Sequence, residues 1–161
     1  MKKTAYLLGC LLLLVSACKS IKDSQSETRT GAITLKELRK MPWFGKEYKD
    51  YTPQKAYLDS LKSLKTYNLK IYLGLWCSDS RTVVPQVIKT LDLAGYPVNN
   101  MALILLNRQK KCDNCITNPP EQHQITLVPT FLLLNQDGSE KGRFVEIPAG
   151  RVEKIIYELS K

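Results

Sequence analysis

The chain has 161 residues, 43% hydrophobic and 24% charged, which allows one domain of roughly 100–200 residues with tails and argues against wholesale disorder. Lys and Arg total 24 against 15 acidic residues, a formal +9, and the single histidine, His123, excludes a multi-histidine metal site. The basic residues are scattered, Lys110-Lys111 being the nearest thing to a patch. With no aromatic interleaving for base stacking, the charge points to an anionic membrane face and away from nucleic acid.

Met1-Lys2-Lys3 precede an apolar run over residues 5–15 that is too short for a comfortable membrane span and reads as the core of a secretory signal. Val15-Ser16-Ala17-Cys18 then resembles the lipobox of bacterial lipoproteins, which implies cleavage before Cys18 and lipidation on it. A plain signal peptide with an incidental cysteine is the alternative. The expected division is a signal peptide over 1–17, a polar flexible tether over 18–31, and one domain over 32–161. Its expected place is the bacterial cell envelope, lipid-anchored, with the domain facing the periplasm or the exterior. Disulfides persist outside the cytosol. With Cys18 acylated, Cys77, Cys112 and Cys115 are an odd set, so at least one stays unpaired or exchanges partners.

Thr34-Leu35-Lys36-Glu37 has capping-box spacing and opens a short helix over about 35–40, which Pro42-Trp43-Phe44-Gly45 breaks. Thr52-Pro53 starts a second helix running to about residue 66, with Ala56, Tyr57, Leu61 and Leu64 at helical spacing. The nearly continuous apolar runs 69–75 and 101–106 suit strands covered on both faces. Between them, residues 80–94 place Val83, Val84, Val87, Ile88 and Leu91 on one helical face. That is a β-α-β unit with a right-handed crossover and parallel strands. An irregular stretch with Cys112 and Cys115 follows, then a very short helix from Pro119-Pro120 to His123. Residues 130–134 form a strand, Asn135-Gln136-Asp137-Gly138 a hairpin turn, and 141–147 the returning strand. An amphipathic helix over 151–160 closes the chain.

This order resembles the thioredoxin fold. Trp76-Cys77-Ser78-Asp79-Ser80 stands where that family carries Trp-Cys-x-x-Cys, Pro85 lies eight residues after Cys77, and Val128-Pro129-Thr130 is similar to the family's cis-proline segment. Trp-Cys-x-Asp-Ser followed by Arg81 and Val84-Pro85 is similar to a branch of thioredoxin-like proteins common in Bacteroidota. The resemblance covers about residues 69–161. It implies an α/β fold with a mixed central sheet, helices on both faces and an N-terminal helical extension.

A cysteine at the first turn of a helix faces unpaired amides and the positive end of the peptide dipoles, which favour thiolate, the attacking form in disulfide exchange. Ser80 replaces the second motif cysteine and cannot close a disulfide; it can donate to Cys77 or cap the helix. Asp79 either approaches the sulfur or stabilises the helix start by its charge. The family's buried acid corresponds to Ile71, and a glycine common late in the returning strand falls at Glu146. Cys112 and Cys115 are candidates for a resolving pair and, equally, for a structural disulfide pinning the loop. Trp76, Val128 and Pro129 are the expected surface for an extended polypeptide. The resulting expectation is thiol–disulfide exchange on exported proteins, with an external thiol as electron donor and neither cofactor nor metal. A non-enzymatic protein-binding lipoprotein on the same fold is the alternative.

Overall fold

The structure is a computed structural model that describes residues 28–148, 150–159 and 161; the expected signal peptide, Cys18 and most of the tether lie outside these. In chain order come β1 (Gly31–Ile33), α1 (Leu35–Leu38), α2 (Phe44–Asp50), α3 (Lys55–Leu58), a 3-10 helix (Ser60–Thr66), β2 (Asn68–Leu73) and α4 (Ser78–Ala94). A 3-10 turn (Val98–Asn100), β3 (Met101–Leu105), a further 3-10 helix (Pro120–His123), β4 (Thr130–Leu134), β5 (Glu140–Val145) and α5 (Val152–Leu159) complete it. The strands form one sheet in the order β1-β3-β2-β4-β5. Strands β2 and β3 are parallel, with Ile71 opposite Leu103. The β1–β3, β2–β4 and β4–β5 pairs are antiparallel. A β-α-β unit continued by a β-hairpin and a closing helix is a thioredoxin-like fold, here with β1 added at one edge.

Side chains on a strand alternate between faces, and the core divides accordingly. Leu69, Ile71 and Leu73 of β2, with Leu103, Leu105, Phe131 and Leu133, pack against α4, α5 and the N-terminal helices. The α4 stripe Val83, Val84, Val87, Ile88 and Leu91 is at most 3% exposed, each side chain contributing about 1.5–3 kcal/mol of burial. Pro85 sits inside this helix, also buried. On the opposite face Tyr72, Ile104, Leu132 and Leu134 meet Cys115, Ile125 and Val128 from the long β3–β4 connection. Among the described residues, this connection contains one short 3-10 helix, Pro120–His123.

The N-terminal extension departs most from the sequence-based expectation. Gly31, the last residue of the expected tether, opens β1 in a left-handed conformation (φ 102°). Three residues are too few to show a period. The first helix ends at Leu38, before Pro42 and short of the expected residue 40, and α2 begins at Phe44, which is drawn into the core at 2% exposure. Tyr48 and Arg39 both bond Asp92 near the end of α4 (2.6 and 2.5 Å) and so tie this extension to the central helix. The helix expected over 52–66 starts at Lys55 and turns 3-10 after Asp59. The hydroxyls of Ser63 and Thr66 each bond the carbonyl three residues back, and Leu61 and Leu64, three apart, both point inward. That spacing matches three residues per turn.

The capping box forms as the sequence indicates. Glu37 N–H donates to Thr34 Oγ1 (3.1 Å) while the Glu37 carboxylate accepts from the Thr34 amide (3.0 Å). The Thr34 amide, then its hydroxyl, then Arg29 pull the Glu37 carboxyl down from 4.5 to about 2. A depressed carboxyl contributes fully above its unfolded value and loses that contribution as pH falls toward the folded one. Thr34→Ala is therefore expected to cost about 1 kcal/mol near pH 7, with the deficit shrinking between pH 4.5 and 2, as urea unfolding at several pH values will show. Tyr51 donates to Glu153, a carboxylate only 2% exposed at the start of α5. Burial first, then Glu153, pushes the Tyr51 phenol well above its usual range. Tyr51→Phe leaves that buried acceptor without its hydroxyl partner and is expected to destabilise by about 1–3 kcal/mol in the same assay.

Candidate thiol site

Strand β2 ends at Leu73, and Gly74, Leu75 and Trp76 turn the chain into α4, whose N-cap is Cys77 (φ −90°, ψ 123°). Cys77 is a free, half-buried cysteine. Its Sγ donates to the Val128 carbonyl at 3.3 Å, and the Val128–Pro129 peptide is cis. Trp76 and Cys77, neighbours in sequence, thus meet the distant Val128 at one end of the sheet. Just past the end of β5, Glu146 N–H donates to the Pro129 carbonyl (3.4 Å). Glu146 adopts φ 51°, a left-handed conformation glycine tolerates best. This is the position where the family resemblance places a glycine, and it ends β5 at Val145, two residues short of the expected strand.

Ser80 is fully buried, and its Oγ accepts from the Gly74 amide (3.2 Å). This bond is neither of the two expected of it, donation to Cys77 or capping of the helix. Next to it, Arg81 Nε donates to the Leu75 carbonyl. Both side chains brace the strand-to-helix turn that carries the sulfur. Asp79 is exposed in the first turn of α4 and accepts from the Ser78 hydroxyl at 3.4 Å, a place where an acid complements the helix dipole. It also lines an open groove of about 280 Å³ with Thr82, Val83, Glu146, Ile147 and Pro148. Ile71, at the family's acid position, is fully buried.

Trp76 is half-buried, and its indole N–H donates to the Leu106 carbonyl (2.9 Å). A Cβ on Gly74 would lie 2.6 Å from Trp76 Cε2, so glycine is required there for room. Cys112 and Cys115 form a disulfide, their Cα atoms 5.5 Å apart. Cys115 is buried in the second-face cluster, against which Cys112, Trp76 and Cys77 also pack. The structure thus collects all three sulfurs on one apolar cluster. His123 lies elsewhere on that face, its Nε2 3.2 Å from Lys70 Nζ and its ring 6.2 Å from that of Tyr72. Burial first, then Lys70, lowers its proton affinity.

Sequence reading singles out Lys110-Lys111 before the disulfide but not the turn that carries them. Asn107 Oδ1 accepts from the Gln109 and Lys111 amides (3.0 Å each), and Lys110 takes φ 59°. The resulting turn sets Arg108 Cζ 5.1 Å and Lys110 Nζ 5.8 Å from the centre of the Trp76 ring. An asparagine four residues before Lys111 was the available signal. Among the described residues no group of three or more His, Cys, Asp or Glu is placed to hold a metal ion, and no helix is long and apolar enough to cross a membrane.

A half-buried thiol at the start of the central helix, beside a cis-proline on a thioredoxin-like sheet, defines the class of site. No family model and no curated protein matches the sequence. Among solved structures, the chain is similar to a protein of unknown function from Pseudomonas aeruginosa, at 16% identity and TM-score 0.50, over 80% of this chain and 83% of that one. An HIV epitope-scaffold gives 17% identity and TM-score 0.50, over 80% and 84%. Thioredoxin O2 from Arabidopsis thaliana in its oxidised state gives 19% and 0.41, over 66% and 85%. At such identities the first two likenesses concern the fold alone.

Gly74→Ala is expected to displace the Trp76 indole, lowering stability by about 1–3 kcal/mol and shifting tryptophan emission. Urea unfolding and fluorescence check this, and an unchanged spectrum with unchanged stability would refute the packing argument.

Proposed function

We propose that the protein carries out thiol–disulfide exchange on exported polypeptides through Cys77, as a lipoprotein held to the cell envelope through Cys18. The observation that carries the reading is Cys77 itself: a free thiol at a helix N-cap, bonded to the carbonyl that precedes a cis-proline. The lipid anchor, the envelope location and the likeness to Bacteroidota proteins rest on sequence, since Cys18 lies outside the described residues.

In the proposed reaction the Cys77 thiolate attacks one sulfur of a substrate disulfide. A Cys77–substrate disulfide forms, the substrate disulfide breaks, and its other sulfur leaves as thiolate. An extended substrate would use the Val128 backbone for strand-like pairing, taking over the carbonyl that the thiol now occupies. Ser80 cannot resolve the intermediate. A reduced Cys112/Cys115 pair would do so: one thiolate attacks Cys77 Sγ and releases the substrate, and the other then attacks its partner. This regenerates free Cys77 and leaves the Cys112–Cys115 disulfide. The pair loses two electrons, the substrate gains two, and an external dithiol restores the pair. The observed combination, free Cys77 and disulfide-bonded Cys112 and Cys115, is the state in which this cycle ends.

Two measurements test it. Cys77→Ser is expected to abolish turnover of a protein disulfide with supplied dithiol; retained turnover rejects Cys77 as the nucleophile. Cys115→Ser is expected to accumulate a Cys77–Cys112 disulfide, seen by non-reducing proteolysis and mass spectrometry. If neither Cys112 in this variant nor Cys115 in Cys112→Ser ever appears joined to Cys77, the internal pair is structural and resolution falls to the external thiol.

A further inference from the structure

We propose that the two cysteines of the β3–β4 connection have unequal tasks. Cys112 is the sulfur that exchanges, both with Cys77 and with the external dithiol, and Cys115 exchanges with Cys112 alone. The proposal rests on the exchange reading and adds to it the order of the internal pair and the sulfur through which electrons enter.

A thiolate must reach the sulfur it attacks, so access decides which half of a disulfide exchanges. Cys115 is 8% exposed and belongs to the apolar cluster on the second face, with Ile104, Leu106, Ile125 and Val128. Its carbonyl accepts from the Asn118 amide (3.3 Å), and the Asn118 carbonyl accepts from the Tyr72 hydroxyl (3.4 Å). Tyr72 is fully buried in β2, so this end of the pair is tied to the sheet. Cys112 is half-buried between exposed Lys111 and exposed Asp113, and packs against the cluster as Trp76 and Cys77 do.

The backbone also leads from Cys77 to Cys112. Trp76, directly before Cys77, donates its indole N–H to the Leu106 carbonyl (2.9 Å). The next residue, Asn107, donates its amide to the Lys111 carbonyl (3.1 Å) and takes the Lys111 amide on its side chain (3.0 Å). The neighbour of Cys112 is thereby bonded to the neighbour of the residue that holds Trp76.

Every external exchange then passes through Cys112 Sγ. With the pair reduced, the Cys112 thiolate attacks Cys77 Sγ of the Cys77–substrate disulfide. That bond breaks and the substrate leaves as thiolate. The Cys115 thiolate attacks Cys112 Sγ, the Cys112–Cys77 bond breaks, and Cys77 leaves as thiolate. A donor thiolate next attacks Cys112 Sγ, and Cys115 leaves as thiolate. The donor's second thiolate attacks the donor sulfur joined to Cys112, which releases Cys112 as thiolate and the donor as a disulfide. The donor loses the two electrons that the substrate disulfide gains, and through water the donor thiols give up the two protons that the substrate thiolates take.

The first readout uses the unmutated full chain, reduced with dithiothreitol and then freed of it. Iodoacetamide labelling is followed cysteine by cysteine with peptide mass spectrometry. Cys112 is expected to label about tenfold faster than Cys115 in the folded protein, and at the same rate in urea. The second readout traps the intermediate with insulin as substrate. Cys115→Ser is expected to accumulate the Cys77–Cys112 disulfide, whereas Cys112→Ser accumulates no Cys77–Cys115 disulfide. Equal labelling in the folded protein overturns the proposal, as does Cys115 joining Cys77 as readily as Cys112. If neither joins Cys77 while insulin is still reduced with supplied dithiol, the proposal falls and exchange at Cys77 stands. If Cys77→Ser reduces insulin as well as the unmutated protein, the exchange reading falls with it.

Discussion

The site depends on one buried hydrogen bond, from the Gly74 amide to Ser80 Oγ. It joins the end of a central strand to the first turn of the central helix. It also fixes Trp76 and Cys77, which lie between the two ends of that bond. The neighbouring contacts tighten the same turn: the Arg81 bond to Leu75 and the close approach of the indole to Gly74. Loss of this hydrogen bond would leave the Gly74 N–H unpaired in a buried place, a penalty of about 1–3 kcal/mol. The serine in the motif thereby has a structural task at its position, the acceptor for the Gly74 amide.

The two faces of the sheet serve different ends. The helical face supplies the core: α4, α5 and the N-terminal helices close over Ile71, Leu103 and Phe131. On the second face, among the described residues, the β3–β4 connection supplies the cover. That connection carries the disulfide, the Asn107 turn and the cis-proline segment. A helix there would have buried more surface but would have left less room for backbone and sulfur chemistry beside Cys77. Functional segments commonly ride on a rigid scaffold in this way.

Much of this was legible in the sequence, because the decisive signals are local. The capping box at Thr34 and Glu37, the apolar runs of β2 and β3, the stripe on α4 and the Asn-Gln-Asp-Gly turn each need only a few neighbouring residues to be read. The placement of Cys77 between strand and helix follows from the same runs. What escaped was set at a distance. Strand β1 exists because β3 offers an edge, and α2 because Phe44 finds the core. The helix after Pro53 turns 3-10 because Leu61 and Leu64 must both face inward. At the site, the partner of Ser80 and the cations beside Trp76 depend on turns whose shape no periodicity records.

The rims of the sheet have a consequence for how molecules of this protein meet one another. One outer strand, β1, is three residues long; the other, β5, carries Glu140, Lys141 and Arg143 and stops at a residue with a left-handed backbone. Neither presents the long, flat, uncharged ladder of free amides and carbonyls along which copies can add strand by strand. Crowded together, such chains can touch without templating one another, and their sheets end where the fold ends them.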